Sequence, residues 1–384
     1  MITPLYIGEL ELLHFRNHAS LHLHLGPGIN CFVGPNGAGK TNLLDALHYL
    51  AFARGFRASA DQEAVQEGAS FFMNTGVLHR DGQAVRVACN YVRGRGKKML
   101  IDGQPLPRLS EHIGSIPLVS ILPADTELIN GPSAGRRRFL DMLIAQYDRA
   151  YLRHLIQYER LLAQRNAQLR LFGEQRFFDR ELLLLWDRQL VPHAQGIQQG
   201  RADFLVRFQP IFEAYFHEIV SQQETPLLRY RPAVEDNVPE AWEALWRSHE
   251  ARDLASQYTT AGAHRDDLGF KINGRAVRNY GSQGQQKTFV IALKLAQYRL
   301  LGDSTGLHPV LLLDDIFDRL DQHRLERIAR LLQSQLQGQV FITDTSAQRL
   351  RAIFATGAPR ALRFFEVMQG QVQPAGETDD AGTA

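Results

Sequence analysis

Residues 34–41 read Gly34-Pro35-Asn36-Gly37-Ala38-Gly39-Lys40-Thr41 and fill every fixed position of a G-x-x-x-x-G-K-[ST] phosphate-binding loop. An apolar run, Gly28-Ile29-Asn30-Cys31-Phe32-Val33, precedes it, and Asn42 to Leu50 carry apolar residues at helical spacing behind it. That order demands a buried strand, a tight turn and a helix whose N-terminus faces an anion. The glycines let the backbone wrap so that successive N–H groups converge on phosphate oxygens. Lys40 then reaches the β- and γ-phosphates, and Thr41 holds magnesium. An ordinary glycine-rich turn has neither the strand nor the helix. We therefore expect ATP and Mg2+ at residues 34–41.

The rest of the chain must supply a second carboxylate site and a core. With 44% hydrophobic and 22% charged residues in 384, it is long enough for two or three packed lobes. A net charge of +2, from 43 basic and 41 acidic residues, means that any nucleic-acid contact rests on local clusters. Two cysteines cannot form a disulfide framework, and Cys31 is expected to fill core space. The opening residues lack the basic and apolar regions of a signal peptide, and no window is apolar enough to span a bilayer. The expectation is a cytoplasmic chain with no membrane partner.

Composition divides the chain. Residues 1–125 read mainly as short strands, at 5–15, 20–25, 29–33, 71–79, 84–93 and 98–101, with turns at Asp81-Gly82 and Gly94-Arg95-Gly96. Residues 126–256 turn helical, with Leu152, Leu155, Ile156, Glu159, Leu161 and Leu162 at helical spacing and breaks expected at Pro192, Pro210, Pro226 and Pro232. These prolines argue against a long coiled coil. An α/β pattern returns over 257–372, and 373–384 is small, polar and acidic, as in disordered tails.

Within that last region, Val310-Leu311-Leu312-Leu313-Asp314-Asp315 is an apolar strand ending in two carboxylates, which suits Asp314 to the magnesium shell and Asp315 to the attacking water. Upstream, Ser282-Gln283-Gly284-Gln285 opens the helical run 288–300 and offers a hydroxyl, backbone N–H groups and an amide to an anion. Alone, such a cluster reads equally well as a helix cap. Two basic clusters, Arg93-Gly94-Arg95-Gly96-Lys97-Lys98 and Arg136-Arg137-Arg138, carry the donors that suit DNA phosphates, though charged turns are commonly just solvated. His22 and His24 alternate on one strand face without an evident third ligand, so no metal is expected there.

Together these elements resemble the ATP-binding-cassette group, and most closely the RecF family of DNA repair proteins, relatives of the structural-maintenance-of-chromosomes ATPases. The resemblance runs through Leu12 to Asn17, Gly34 to Leu44, Gly131 to Asp141, Gly262 to Asp267, Tyr280 to Ala296 and Leu311 to Asp321. It implies an α/β fold: an ABC-type P-loop ATPase head, with a mixed central sheet and an antiparallel β subdomain, carrying an inserted all-helical lobe. By the same resemblance, Arg16 and Asn17 lie beside the nucleotide. Ser282, Gly284 and Gln285 meet the γ-phosphate held by a second subunit, and Asp321 belongs to an aspartate loop at the dimer interface. The implied activity is slow, DNA-dependent ATP hydrolysis, gating a homodimer that binds duplex and gapped DNA. The implied partners are RecR and, in loading, RecA and single-strand-binding protein. Cassette ATPases commonly carry Glu where this chain has Asp315, and transporter members a histidine near Thr343-Asp344-Thr345; both departures suggest slow turnover. The alternatives are a transporter ATPase subunit, which the helical insert and missing histidine oppose, and a chromosome-organising protein, whose long coiled-coil arm does not fit between Lys40 and Ser282.

Overall fold

A computed structural model describes residues 3–56, 60–220, 224–317, 322–354 and 361–375. They belong to two compact units, Met1–Ala124 with Tyr298–Ala384, and Asp125–Gln297.

The first unit begins with β1 (Leu5–Phe15), β2 (His18–His24), β3 (Ile29–Val33), α1 (Lys40–Phe52), β4 (Phe71–Arg80), β5 (Gln83–Val92), β6 (Gly96–Ile101), β7 (Gln104–Pro105) and β8 (Leu118–Ile121). The second unit contains α2 (Glu127–Asn130), α3 (Ser133–Tyr147), α4 (Arg149–Gln175), α5 (Arg180–Ile219), β9 (Pro226–Arg231), α6 (Pro239–Ser256), β10 (Asp267–Ile272), β11 (Arg275–Ala276) and α7 (Val277–Tyr280). The helix α8 (Gln283–Thr305) then leads into β12 (Val310–Asp314), α9 (Gln322–Ser334), β13 (Val340–Asp344), α10 (Ala347–Phe354), β14 (Leu362–Met368) and β15 (Gln371–Pro374).

Two six-stranded sheets build the first unit. One, ordered β2-β1-β4-β5-β6-β7, is antiparallel throughout. Its strands alternate buried and open residues, as in Leu10, Leu12 and Phe15 against Glu9, Glu11 and His14, the mark of a sheet with one face on the core. The other, ordered β15-β14-β3-β13-β12-β8, is parallel except at β15. Every residue of β3, β12 and β13 is buried, and these read as near-continuous apolar runs because a parallel sheet is covered on both faces. The tail expectation is corrected at its start: Gln373 and Pro374 belong to β15, while 376–384 lie outside the described residues. Cys31 and Cys89 are buried and unbridged.

The second unit differs from the sequence division in two respects. It extends to Gln297, not 256, because β9 and β10 pair antiparallel along their length and tie 267–272 to the helical segment. It is also not wholly helical, since β9, β10 and β11 form a three-stranded sheet. Pro192 and Pro210 do not break a helix; both sit inside the 40-residue α5 on its exposed side. Each removes one backbone hydrogen bond, but the buried stripe of Leu183, Leu190, Ile197, Phe204, Phe208 and Phe212 runs on past them. On α4, Tyr151, Tyr158, Arg165 and Phe172 are buried at seven-residue spacing. The contacts Tyr151–Arg201 and Arg165–Asp187 run in opposite chain directions, so α4 and α5 form an antiparallel hairpin with a short coiled-coil seam. No described helix is long and apolar enough to cross a membrane.

Candidate functional site

The strand β3 delivers the chain into the loop at Val33, and Gly34 must be glycine there: a Cβ would lie 2.1 Å from the Val367 carbonyl oxygen of the neighbouring β14. Gly39 precedes α1 at φ 113°, and a Cβ on it would meet the Asn17 side chain at 2.5 Å. Having no side chain, Gly39 leaves the leading N–H groups of α1 uncapped by any side-chain acceptor and available to an anion. Lys40, 5% exposed, lies across the loop, with Nζ donating to the carbonyls of Gly34 at 2.8 Å and Pro35 at 3.0 Å.

Register sets the carboxylates beside the loop. Asp314 at the tip of β12 pairs with Thr343 on β13, and Thr343 pairs with Phe32 on β3, so three adjacent parallel strands end together. Thr41 Oγ1 donates to Asp314 Oδ1 at 3.0 Å, and Thr343 Oγ1 donates to the same oxygen at 2.7 Å. The Thr343 hydroxyl also accepts the Asp315 N–H at 3.0 Å. Asp315 takes the left-handed backbone conformation, φ 45°, which aspartate and asparagine adopt more readily than other non-glycine residues. Burial, then the neighbouring Asp314 charge, pushes its carboxyl above the ordinary carboxylate range. The Thr41 hydroxyl and Asp314 carboxylate are hard oxygen donors of the kind Mg2+ prefers.

The turn between β1 and β2 braces the loop from the other side. Asn17 Nδ2 donates to the Ala38 carbonyl at 3.0 Å, and its Oδ1 accepts from Asn42 at 2.8 Å. Arg16 instead grips α1: Nε and Nη2 donate to Asp45 at 3.1 and 2.9 Å, and Nη1 to the Glu63 carbonyl at 3.0 Å. His18 is fully buried, which lowers its pKa, and sets Nδ1 2.7 Å from the Gly370 carbonyl, while the Gly370 N–H donates to Ala38. Sequence reasoning missed His18 and Gly370 as parts of this site, and singled out the Thr343 segment only for a histidine that this chain lacks there. The signal available for Thr343 was its place at the end of a second apolar strand.

Ser282 and Gln285 form a reciprocal cap on α8. Ser282 Oγ accepts the Gln285 N–H at 3.2 Å, and Gln285 Oε1 accepts the Ser282 N–H at 2.9 Å. Gln285 Nε2 is fixed in turn by Glu224 at 2.8 Å. Ser282 is exposed, and a hydroxyl that accepts at its oxygen still has its O–H to donate. Gly284 lies in the same first turn, its carbonyl accepting from Thr288. Asp321 lies outside the described residues.

The basic clusters divide. Arg93, Arg95 and Lys98 are exposed on the β5–β6 hairpin, but Lys97 turns inward to Asp61 at 2.8 Å and lies over the Tyr49 ring. Arg136 is corrected as a DNA contact: it is 8% exposed, with Nε and Nη2 on Asp267 at 2.8 and 3.2 Å and Nη1 on the Leu128 and Gly131 carbonyls. Successive residues on a helix point about 100° apart, so Arg138 faces outward while Arg137 is half-buried against Ser133 and the Asp266 carbonyl. In the 264–267 loop, Arg265 is exposed over the Tyr258 ring while Asp266 is buried. Asp266 receives Arg201 at 2.7 Å, the Tyr230 hydroxyl and the Ala233 N–H, and His264 is set between Tyr158 at 2.8 Å and the Thr259 carbonyl at 3.1 Å. Burial lowers the His264 pKa to about 4.

Residues 6–356 match the family model described as the RecF/RecN/SMC N terminal domain. The chain belongs to the RecF family. It is 39% identical over 370 residues to the DNA replication and repair protein RecF of Cytophaga hutchinsonii, covering 96% of this chain and 97% of that one. The RecF of Flavobacterium johnsoniae is 37% identical over 91% of this chain and 96% of its own length. Among solved structures, the recombination mediator protein RecF-ATP of the RecFOR pathway superposes with a TM-score of 0.85 at 29% identity, over 97% of this chain and 100% of that one. The Smc head domain of Pyrococcus furiosus, at 15% identity and a TM-score of 0.56 over 97% and 96%, shares the fold alone. The RecF-family fold is thus an ABC-type ATPase head.

Proposed function

We propose that this chain is an ATP-switched, DNA-binding mediator of recombinational repair. The observation that carries the reading is the joining of Thr41, Asp314, Thr343 and Asp315 by hydroxyl hydrogen bonds at the mouth of the phosphate loop. Lys40 leaves its own loop carbonyls for the β- and γ-phosphates, and the N-terminus of α1 receives the remaining phosphate charge. Thr41 and Asp314 would hold Mg2+, which neutralises phosphate charge when bound. Asp315, with its raised affinity for a proton, takes one from the attacking water. Its side chain is one methylene shorter than glutamate, which suits slow hydrolysis.

Ser282, Gly284 and Gln285 present an anion-directed helix start to the γ-phosphate bound by a second copy, so that ATP closes a homodimer and hydrolysis releases it. Asp321 is assigned to the same interface by family resemblance. Arg16 and Asn17 act here by fixing α1 and the loop. Arg93, Arg95, Lys98 and Arg138 supply sequence-independent phosphate contacts to duplex and gapped DNA. RecR is the protein partner, and RecA loading on gaps covered by single-strand-binding protein is the task.

The test is fluorescence anisotropy of labelled duplex and gapped DNA with and without Mg-ATP, with subunit mass followed by sedimentation. ATP is expected to drive dimerisation and tighten DNA binding, with Lys40→Met and Ser282→Arg each removing both effects. A Ser282→Arg protein that still dimerises on ATP would remove the composite-site mechanism.

A further inference from the structure

The outer face of the antiparallel sheet carries a side-chain cluster that the nucleotide chemistry does not use. β1 and β2 pair so that Glu9 faces His24 and Glu11 faces His22. Along β2, Leu21 and Leu23 go to the core, so His22 and His24 project together from the open face, their ring centroids 4.9 Å apart. The Glu9 carboxylate spans both rings, with Oε2 3.4 Å from His22 Nε2 and Oε1 3.9 Å from His24 Nδ1. Glu11 approaches His22 at 3.9 Å, but its other oxygen is bound by Arg86, which leaves Glu9 as the carboxylate free to serve both imidazoles.

A tetrahedral ion with bonds of about 2.0–2.2 Å to nitrogen and oxygen holds neighbouring ligand atoms roughly 3.3–3.5 Å apart. The Glu9–His22 separation already has that value, and a small rotation of the exposed His24 ring brings in the third ligand. We propose that Glu9, His22 and His24 form a binding site for a zinc-class divalent ion, with water in the open fourth position. Imidazole nitrogens suit zinc and its transition-metal neighbours, whereas magnesium prefers oxygen ligands, so the site is chemically distinct from Thr41 and Asp314. The ion joins β2, an edge strand, to β1 at the far end of the ribbon whose turn carries Arg16 and Asn17. Because the three ligands converge only in the folded sheet, binding stabilises the fold by mass action.

Zinc alone is titrated into the full chain by calorimetry, in excess Mg2+ and a non-chelating buffer, alongside thermal melts with and without zinc. One saturable site per chain and a zinc-dependent rise in Tm are expected. Glu9→Gln, His22→Ala and His24→Ala should each weaken the site by at least about tenfold, the loss that removal of even an outer-shell partner can cause. Circular dichroism shows whether these exposed-face variants fold, and their Mg-ATP binding should match that of the unaltered chain. Undiminished zinc binding in His22→Ala and His24→Ala would overturn the assignment and direct attention to the His154–His193 pair, whose Nδ1 atoms lie 3.1 Å apart. Absence of saturable binding to the unaltered chain would overturn it as well.

Discussion

At the mouth of the phosphate loop, Asp314 and Asp315 are held by hydroxyls and one backbone N–H, whereas in the helical unit Arg165 and Arg201 are each clamped between two aspartates. Arg165 is fully buried and takes Asp187 at 2.6 Å and Asp253 at 2.7 Å; Arg201 takes Asp141 at 2.9 Å and Asp266 at 2.7 Å. The first arrangement keeps carboxylate charge in excess, restrained by neutral partners that a cation and phosphates can replace. The second closes its charges on one another inside the helical unit, where Arg165 ties α4 to α5 and α6, Arg201 ties α5 to α3 and to Asp266, and the pairs add little net stability. Carboxylate charge is left open in one unit and closed on arginine in the other.

The largest expected effect sharpens the first half of that contrast. Asp315→Asn should lower the ATP hydrolysis rate by roughly 10²–10⁴, as loss of a general base does, yet raise Tm at neutral pH. Its folded-state pKa is raised, so the penalty for ionising it appears as pH climbs from the ordinary 3.8 through the folded value. Asparagine carries no charge and tolerates the left-handed backbone. A fall in Tm would mean that the Asp314–Asp315 pair is not repulsive. In the helical unit the sign reverses: Arg201→Met should cost about 3–5 kcal/mol by urea denaturation, because Asp141 and Asp266 are left without their cation. Adding Asp141→Asn and Asp266→Asn should recover most of it.

A pH titration separates the units next. His264, neutral in the fold with its pKa near 4 against an ordinary 6.5, contributes stability that is whole above pH 6.5 and lost as pH falls toward 4. The loss over that window is about 3 kcal/mol, read by urea melts, and His264→Gln should flatten it. The smallest effect concerns the basic hairpin. Arg93→Ala with Arg95→Ala should lower the salt slope of duplex DNA binding by about 2, two phosphate contacts' worth. Lys97→Ala should leave that slope alone and cost about 1 kcal/mol of stability.

Legibility in the sequence followed the distance along the chain between cooperating groups. The phosphate loop is contiguous, with its strand and helix on either side, and β12 announces itself by four apolar residues before Asp314. Thr343 shows as the end of a second apolar strand, but only strand register joins it to Asp314, and His18 and Gly370 reach the site through distant turns that no local pattern encodes. Arg136 was misread for a different reason. A run of three arginines reads as one patch, but Phe139, Leu140 and Leu143 place position 136 on the buried side of α3 and position 138 opposite. The same periodic reading would have carried α5 through Pro192 and Pro210, since both fall on its open side, and would have marked Asp187 and Arg201 as charges in a seam.

The placement of β3 bears on how the protein is made. Its two hydrogen-bonded neighbours are β13, starting at Val340, and β14, ending at Met368, so the strand that carries the phosphate loop has no sheet to join until almost the whole chain exists. At about 5–20 residues per second of synthesis, Ile29-Asn30-Cys31-Phe32-Val33 waits roughly 15–60 s with both edges unpaired. A nascent chain that has not reached β13 therefore has no sheet behind its phosphate loop. Any chain terminated before residue 340 leaves behind an apolar strand without partners, suited to capture by chaperones and to degradation, rather than a partly active ATPase.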